Sequence, residues 1–302
     1  MVALIAASLR ATLNGASQIL LQTHPGCGLL VLVAIGLQDR ALLAGALVGL
    51  LAGTGFAWFC SYPRRDIETG LYGYNATLLG LLITLVLDGA PLAWPLILVA
   101  SMLCVPLQRR LLEGMRRQDR LPGFTLPFVL LGWLTLGLCG MLGGLIEARL
   151  PEPEIGGWGA LGGMLRGIGQ VLFLSAPAAG LCLLVALCWA DRNAALWALC
   201  GSAIGIYAAL LSGAAESQAL AGLAGYNPAL AAVALSQIHR SALFPALGIA
   251  LAIAARLAFE QLGIAPLTMP FILACWAVAF GLRLARQHAR RTNPGIPPSL
   301  SR

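Results

Sequence analysis

The chain has 302 residues, 59% hydrophobic and only 10% charged, and its net charge of +7 rests on arginine alone as the basic residue. A soluble domain carries ~25% charged residues, so this composition cannot clothe a water-facing surface and lipid must cover much of it. Apolar stretches recur along the whole length, which argues against an appended soluble domain, and they are continuous runs, which favours helices over the alternating strands of a barrel.

The first apolar segment spans about 2–22 and lacks the basic start and clear stop of a cleavable leader. The next, 27–37, is too short to cross a ~30 Å hydrocarbon core at ~1.5 Å per residue. Some part of 2–37 is therefore re-entrant or broken, with Gly15, Pro25 and Gly28 supplying the breaks. Further segments follow at 41–60, at 71–87, where LYGYNATLL sets Tyr72, Tyr74 and Asn75 in an apolar run, and at 91–107 and 124–146. Six segments with one incomplete give five crossings.

The same series then repeats. GASQILLQTHPGCGLLVLVA from Gly15 matches GIGQVLFLSAPAAGLCLLVA from Gly167, 152 residues on. At that offset Gln18 meets Gln170, Pro25 meets Pro177, Asp39-Arg40 meets Asp191-Arg192, and Gly73-Tyr74-Asn75 meets Gly225-Tyr226-Asn227. Later the offset is 143, and LPGFTLPFVLLGW matches IAPLTMPFILACW with Thr-x-Pro-Phe in each. The expected organisation is two homologous halves, 1–155 and 156–302, forming one all-α membrane domain.

An odd number of crossings inverts one half relative to the other. The charges agree. Arg64 and Arg65 in the 61–70 connection face only Glu216 in its counterpart; Arg109, Arg110, Arg116, Arg117 and Arg120 face Arg256 and Glu260. Under the positive-inside rule this places matching connections on opposite sides, the tail with Arg283, Arg286, Arg290 and Arg291 inside, the acidic link 147–154 outside, and both termini in the cytoplasm. The same placement explains the basic charge without nucleic acid. Inverted repeats with broken helices put a solute path between the halves near the midplane.

Polar side chains at membrane depth are few: Asn14, Ser17, Gln18, Gln22, Asn75, Thr77, Thr84 and Thr125, then Gln170, Ser175, Asn227 and Thr268. None is charged, unlike the carboxylates of cation conductors and proton-coupled carriers. Asp39 and Asp191, each beside an arginine, read as helix-end salt bridges or interfacial charges. His24, His239 and His288 stand alone, and Glu147, Glu216 and Glu260 fall in predicted loops. The eight cysteines show no metal-ligand spacing and read as small apolar fillers. No phosphate-binding loop or nucleophile–base arrangement is present, so neither pumping nor an enzyme is expected, and no cofactor. A path of Gln, Thr and carbonyls among Leu, Phe and Tyr suits a small neutral polar solute, to which it must return the hydrogen bonds lost with water.

Three motifs resemble the urea transporter family over nearly the whole chain. They are Gly-x-x-Gln-[Ile/Val]-Leu-[Leu/Phe] followed by Pro-x-x-Gly-Leu at 15–29 and 167–181, GLYGYNATLLGL at 70–81 with LAGYNPAL at 223–230, and Thr-x-Pro-Phe at 125–128 and 268–271. The resemblance implies passive, channel-like movement of urea through one pore per protomer of a homotrimer. It implies five spanning helices and a half-length pore helix in each half, in a bacterial cytoplasmic membrane. Its path residues map to Gln18, Leu21, Tyr74, Leu78 and Thr125 in the first half and Gln170, Phe173, Tyr226, Leu230 and Thr268 in the second. Asn75 and Asn227 are expected to support the pore by bonding freed backbone groups of a broken helix. Leu21 departs from the family's usual Phe, and Ala76 and Pro228 replace the Gly after Asn; a short amide or ammonia remains an alternative solute.

Overall fold

The computed structural model of the chain describes residues 2–88, 90–118, 122–141, 158–238 and 240–292. Among these residues the regular elements are helices, in an order that runs twice. The first series is α1 (Val2–Gln18), α2 (Pro25–Gln38), α3 (Arg40–Phe59), the short α4 (Arg64–Glu68), α5 (Tyr74–Val86), α6 (Ala93–Gln118) and α7 (Leu126–Met141). The second is α8 (Gly159–Gly169), continued by a 3-10 turn, α9 (Pro177–Ala190), α10 (Arg192–Leu211), the short α11 (Glu216–Leu220), α12 (Tyr226–Ile238), α13 (Leu243–Gln261) and α14 (Met269–Thr292). The boundary between the expected halves, the acidic link 147–154 with Glu147, Arg120 and His239 lie outside the described residues, as do the side chains of Arg117, Arg290 and Arg291.

Local chemistry explains the repeated boundaries. Pro25 and Pro177 open α2 and α9, where the missing N–H costs nothing and φ is already helical. Three residues later, Gly28 and Gly180 let those helices lie on the helix before: an added Cβ would meet the carbonyl oxygens of Leu13 and Leu165 at 1.8 and 2.0 Å. Asp39 and Asp191 cap α3 and α10. Asp39 Oδ1 accepts from the amides of Ala41 and Leu42, and Asp191 Oδ1 from those of Asn193 and Ala194. Both carboxylates thus stand at helix ends, as expected, and act there by N-capping.

Four expectations need correction. Gly15 and Gly28 lie within α1 and α2, so the break falls between those helices, at 19–24, with Pro25 opening the second. The charged connection at 109–120 is helical to Gln118: α6 runs on because Arg109 pairs with Glu113 one turn away, and Arg116 makes two bonds, of 2.6 and 2.9 Å, to the buried Asp66. Glu260 is likewise helical, one turn from its partner Arg256 in α13, and Glu216 opens α11. The apolar run 71–87 forms a helix of only 13 residues, about 20 Å long, and 12 of those residues are buried.

This short α5 lies deep because α3 offers it a stripe of glycines. A Cβ on Gly49 would sit 2.2 Å from the Ala76 carbonyl oxygen, and one on Gly53 2.7 Å from that of Tyr72. Such close backbone approach is how small residues associate helices where lipid removes the hydrophobic drive. Gly201 and Gly205 of α10 play the same part against α12. Around this core, α3, α6, α10, α13 and α14 are long and apolar enough to cross a membrane, and the pair from Gly159 to Ala190, bent by 76°, has the composition of a sixth span. Leu29, Leu51, Phe59, Leu138, Leu196, Tyr207 and Leu247 point outward. An exposed apolar surface of this extent belongs in lipid, and the chain is a multi-pass membrane protein.

Candidate functional site

The two Thr-x-Pro-Phe motifs meet in the buried interior. Thr125 and Thr268 stand just before α7 and α14, and their hydroxyls lie 2.7 Å apart, each residue only 3% exposed. A threonine in this place ordinarily turns its hydroxyl back to cap its own helix. Here every amide of the first turn is satisfied otherwise. Leu126 N–H donates to the Gly123 carbonyl, Pro127 has no N–H, and Phe128 N–H donates to Asn75 Oδ1 at 3.4 Å. In α14, Met269 donates to Pro266, Pro270 has no N–H, and Phe271 donates to Asn227 Oδ1 at 3.1 Å. The asparagines cap the helices from across the fold, which releases both threonine hydroxyls to face each other.

The residue before each threonine is left-handed, Phe124 at φ 42° and Leu267 at φ 43°. A side chain there strains the backbone, so neighbours must hold it. Tyr74 Oη donates to the Phe124 carbonyl at 2.5 Å, and Asn75 Nδ2 reaches the same oxygen at 3.4 Å. Tyr226 Oη and Asn227 Nδ2 donate to the Leu267 carbonyl at 2.6 and 2.9 Å. The repeated Tyr-Asn pair is therefore one clamp: a phenol and an amide fix a strained carbonyl, and the same amide caps the helix beyond it. In the first half the buried Gln108 joins the clamp, donating to Tyr74 Oη at 3.1 Å and accepting from Asn75 Nδ2 at 3.2 Å.

Leu21 and Phe173 occupy matching breaks, at φ 60° and 61°, and both pack partly buried against the main core. Gln18 and Gln170 precede those breaks. Their Nε2 groups are tied to the carbonyls of Thr69 and Ala221 at 2.9 and 3.1 Å, and Gln18 Nε2 also reaches Thr23 Oγ1 at 3.0 Å. Leu78 and Leu230 are almost fully buried, 1% and 4% exposed, in the core one turn beyond the tyrosines. The structure thus brings together Thr125 with Thr268, and each Tyr with its Asn. Leu21 and Phe173 sit at separate breaks.

Beside the predicted Phe173, three further phenylalanines that sequence reasoning passed over, Phe124, Phe128 and Phe271, lie within four residues of the threonines in sequence. Phe124 packs on Phe271 with centroids 4.8 Å apart, and Phe128 on Phe173 at 6.2 Å. A cleft of about 200 Å³ reaches Phe124 between Leu235, Cys275 and Leu282, with Arg283 and Arg286 on its lining. Contacts across the repeats are reciprocal: Trp133 Nε1–H donates to the Ala265 carbonyl and Trp276 Nε1–H to that of Pro122, both at 2.8 Å. The signal for Phe128 and Phe271 was present in Thr-x-Pro-Phe itself. Gln108 has no such signal, because nothing in the second half repeats it.

Two helix starts thus meet at one pair of buried, neutral hydroxyls. The positive ends of both helix dipoles point to it, which favours an acceptor oxygen there and disfavours a cation. The hydroxyls donate or accept, and the surrounding rings give flat apolar walls.

A family model described as Urea transporter matches residues 9–283. Urea transporter 1 of Ovis aries is 29% identical over 284 residues, covering 87% of this chain and 74% of that protein. Urea transporter 1 of Rattus norvegicus is 30% identical over 236 residues, 74% of this chain and 61% of that protein. The family match takes in both halves of the site, from Gln18 to Thr268, and the chain belongs to the urea transporter family.

Proposed function

We infer that the chain passes urea across the membrane passively, through a narrow path between its two halves that is centred on Thr125 and Thr268. The observation that carries this reading is the hydroxyl pair held at two helix starts, both freed from capping duty. Urea's carbonyl accepts from a hydroxyl at the positive helix ends, while its N–H groups donate to threonine oxygens and to the side-chain carbonyl oxygens of Gln18 and Gln170. Leu21, Tyr74 and Leu78 wall one end; Phe173, Tyr226 and Leu230 wall the other. Asn75 and Asn227 support the path without touching solute. Amide bonds lost with water, roughly 2–7 kcal/mol each without replacement, are returned along this route.

The halves 1–155 and 156–302 are proposed to be inverted copies, each with five crossings and one half-length helix. Supporting this are the reciprocal tryptophan bonds, the matched left-handed residues and the short buried α5 and α12 in equivalent places. A homotrimer in a bacterial cytoplasmic membrane, with both termini inside, completes the proposal. It rests on the family resemblance and on the arginine distribution.

The test is osmotic shrinkage and recovery of proteoliposomes, comparing urea, thiourea, formamide and ammonia. Urea is expected to equilibrate faster than in empty liposomes, in either direction and without an ion gradient. Urea rates equal to those of empty liposomes contradict the reading.

A further inference from the structure

The clamps at the two strained carbonyls share their tyrosine and asparagine and differ in what stands behind them. Around Phe124 four groups close a ring: Gln108 Nε2 donates to Tyr74 Oη, Tyr74 Oη to the Phe124 carbonyl, and Asn75 Nδ2 to both that carbonyl and Gln108 Oε1. Around Leu267 the ring is open. Tyr226 and Asn227 both donate to the Leu267 carbonyl, and among the described residues no side chain bridges them. Gln108 is 3% exposed, on α6 two residues after the in-helix Pro106, so its amide is fixed by packing and not by solvent.

We propose that Gln108 is a positioning residue for conduction, setting the width of the path at its first-half end. The proposal rests on the urea-path reading above. Its physical basis is the accounting of donors and acceptors. Tyr74 has one proton, and the bond from Gln108 to its lone pair leaves that proton aimed at Phe124. The second N–H of Asn75 is likewise taken up by Gln108. Phe124 is left-handed, so its carbonyl stays in place only while those donors hold it. Without Gln108, Phe124 is held by Tyr74 and by the 3.4 Å bond from Asn75 alone, a looser clamp than the 2.9 Å bond from Asn227 gives Leu267, so the turn before Thr125 relaxes and the Phe124–Phe271 wall loosens on one side of the threonine pair. The Leu267 end never had this brace and does not change.

The experiment measures a permeability ratio, methylurea to urea, in proteoliposomes. The ratio is independent of how much protein is folded, so a purely structural loss does not move it. Gln108→Met keeps the length and removes both bonds, and is expected to raise the ratio about threefold or more. At an assay pH low enough to keep its carboxyl neutral, Gln108→Glu retains one donor and one acceptor and is expected to restore the wild-type ratio. If Gln108→Met does not insert, Tyr74→Phe opens the same ring and must raise the ratio in the same direction. An unchanged ratio in whichever of these variants inserts, or an equal rise in Gln108→Glu, overturns the proposal. Wild-type protein that conducts no urea removes the functional reading itself; wild-type conduction with an unchanged variant ratio removes only the role of Gln108.

Discussion

Thr125 and Thr268 are each other's hydrogen-bond partner in a buried place, and this makes their energetics separable from their function. Replacing one hydroxyl by methyl orphans the other, whereas replacing both leaves none unpaired. Thr125→Val alone is expected to lower stability by about 1 kcal/mol, and the double change Thr125→Val with Thr268→Val to recover most of that loss, measured by thermal unfolding in detergent as a double-mutant cycle. Asn227→Ala removes a cap and a clamp in one step, and is expected to cost about 2–3 kcal/mol in the same measurement. The duplicated Tyr-Asn and Thr-x-Pro-Phe motifs made these positions legible, because each motif occurs twice in the sequence. What the sequence could not reveal is which atoms act. The essential group at Phe124 and Leu267 is a backbone carbonyl, so residue types there are free to differ. Gln108 is unrepeated and sits at the edge of an apolar run, beside a cluster of arginines.

At the scale of elements, periodicity and composition located the apolar segments but not their ends. A run such as QRRLLEGMRRQ reads as a connection, yet it continues α6 because its charges find partners at helical spacing and across to α4. Asp66 is 2% exposed, and Arg116 is its nearest cation. Arg116→Gln is expected to destabilise the protein by about 2 kcal/mol, since Arg109 at 3.8 Å replaces the lost pair only in part; chemical unfolding checks it. The length of α5 was hidden for a different reason. A buried helix is apolar all round, so its sequence resembles a span whatever its length. The glycines of α3 are what identify it as a packed half-length element. Gly49→Leu is expected to abolish its seating, and with it the folded protein recovered by size-exclusion chromatography, because the new side chain would overlap the Ala76 carbonyl.

Across the whole molecule, two copies of one helical series meet through reciprocal contacts, and the path we propose lies where they meet. Each copy contributes one helix start, one strained carbonyl, one clamp and one glutamine acceptor, so neither half makes the constriction alone. The membrane character follows from composition, and the pairing of halves from duplication; only the structure brought the threonines to 2.7 Å and showed how their hydroxyls are freed. The most direct measurement is urea equilibration by stopped-flow light scattering in proteoliposomes, comparing wild type with Thr125→Val and Thr268→Val combined, at matched insertion. The account predicts rapid urea movement in the wild type and at least about tenfold slower movement in the double variant, equivalent to about 1.4 kcal/mol in the barrier. Equal urea rates in the two proteins would contradict a path that passes between the threonines.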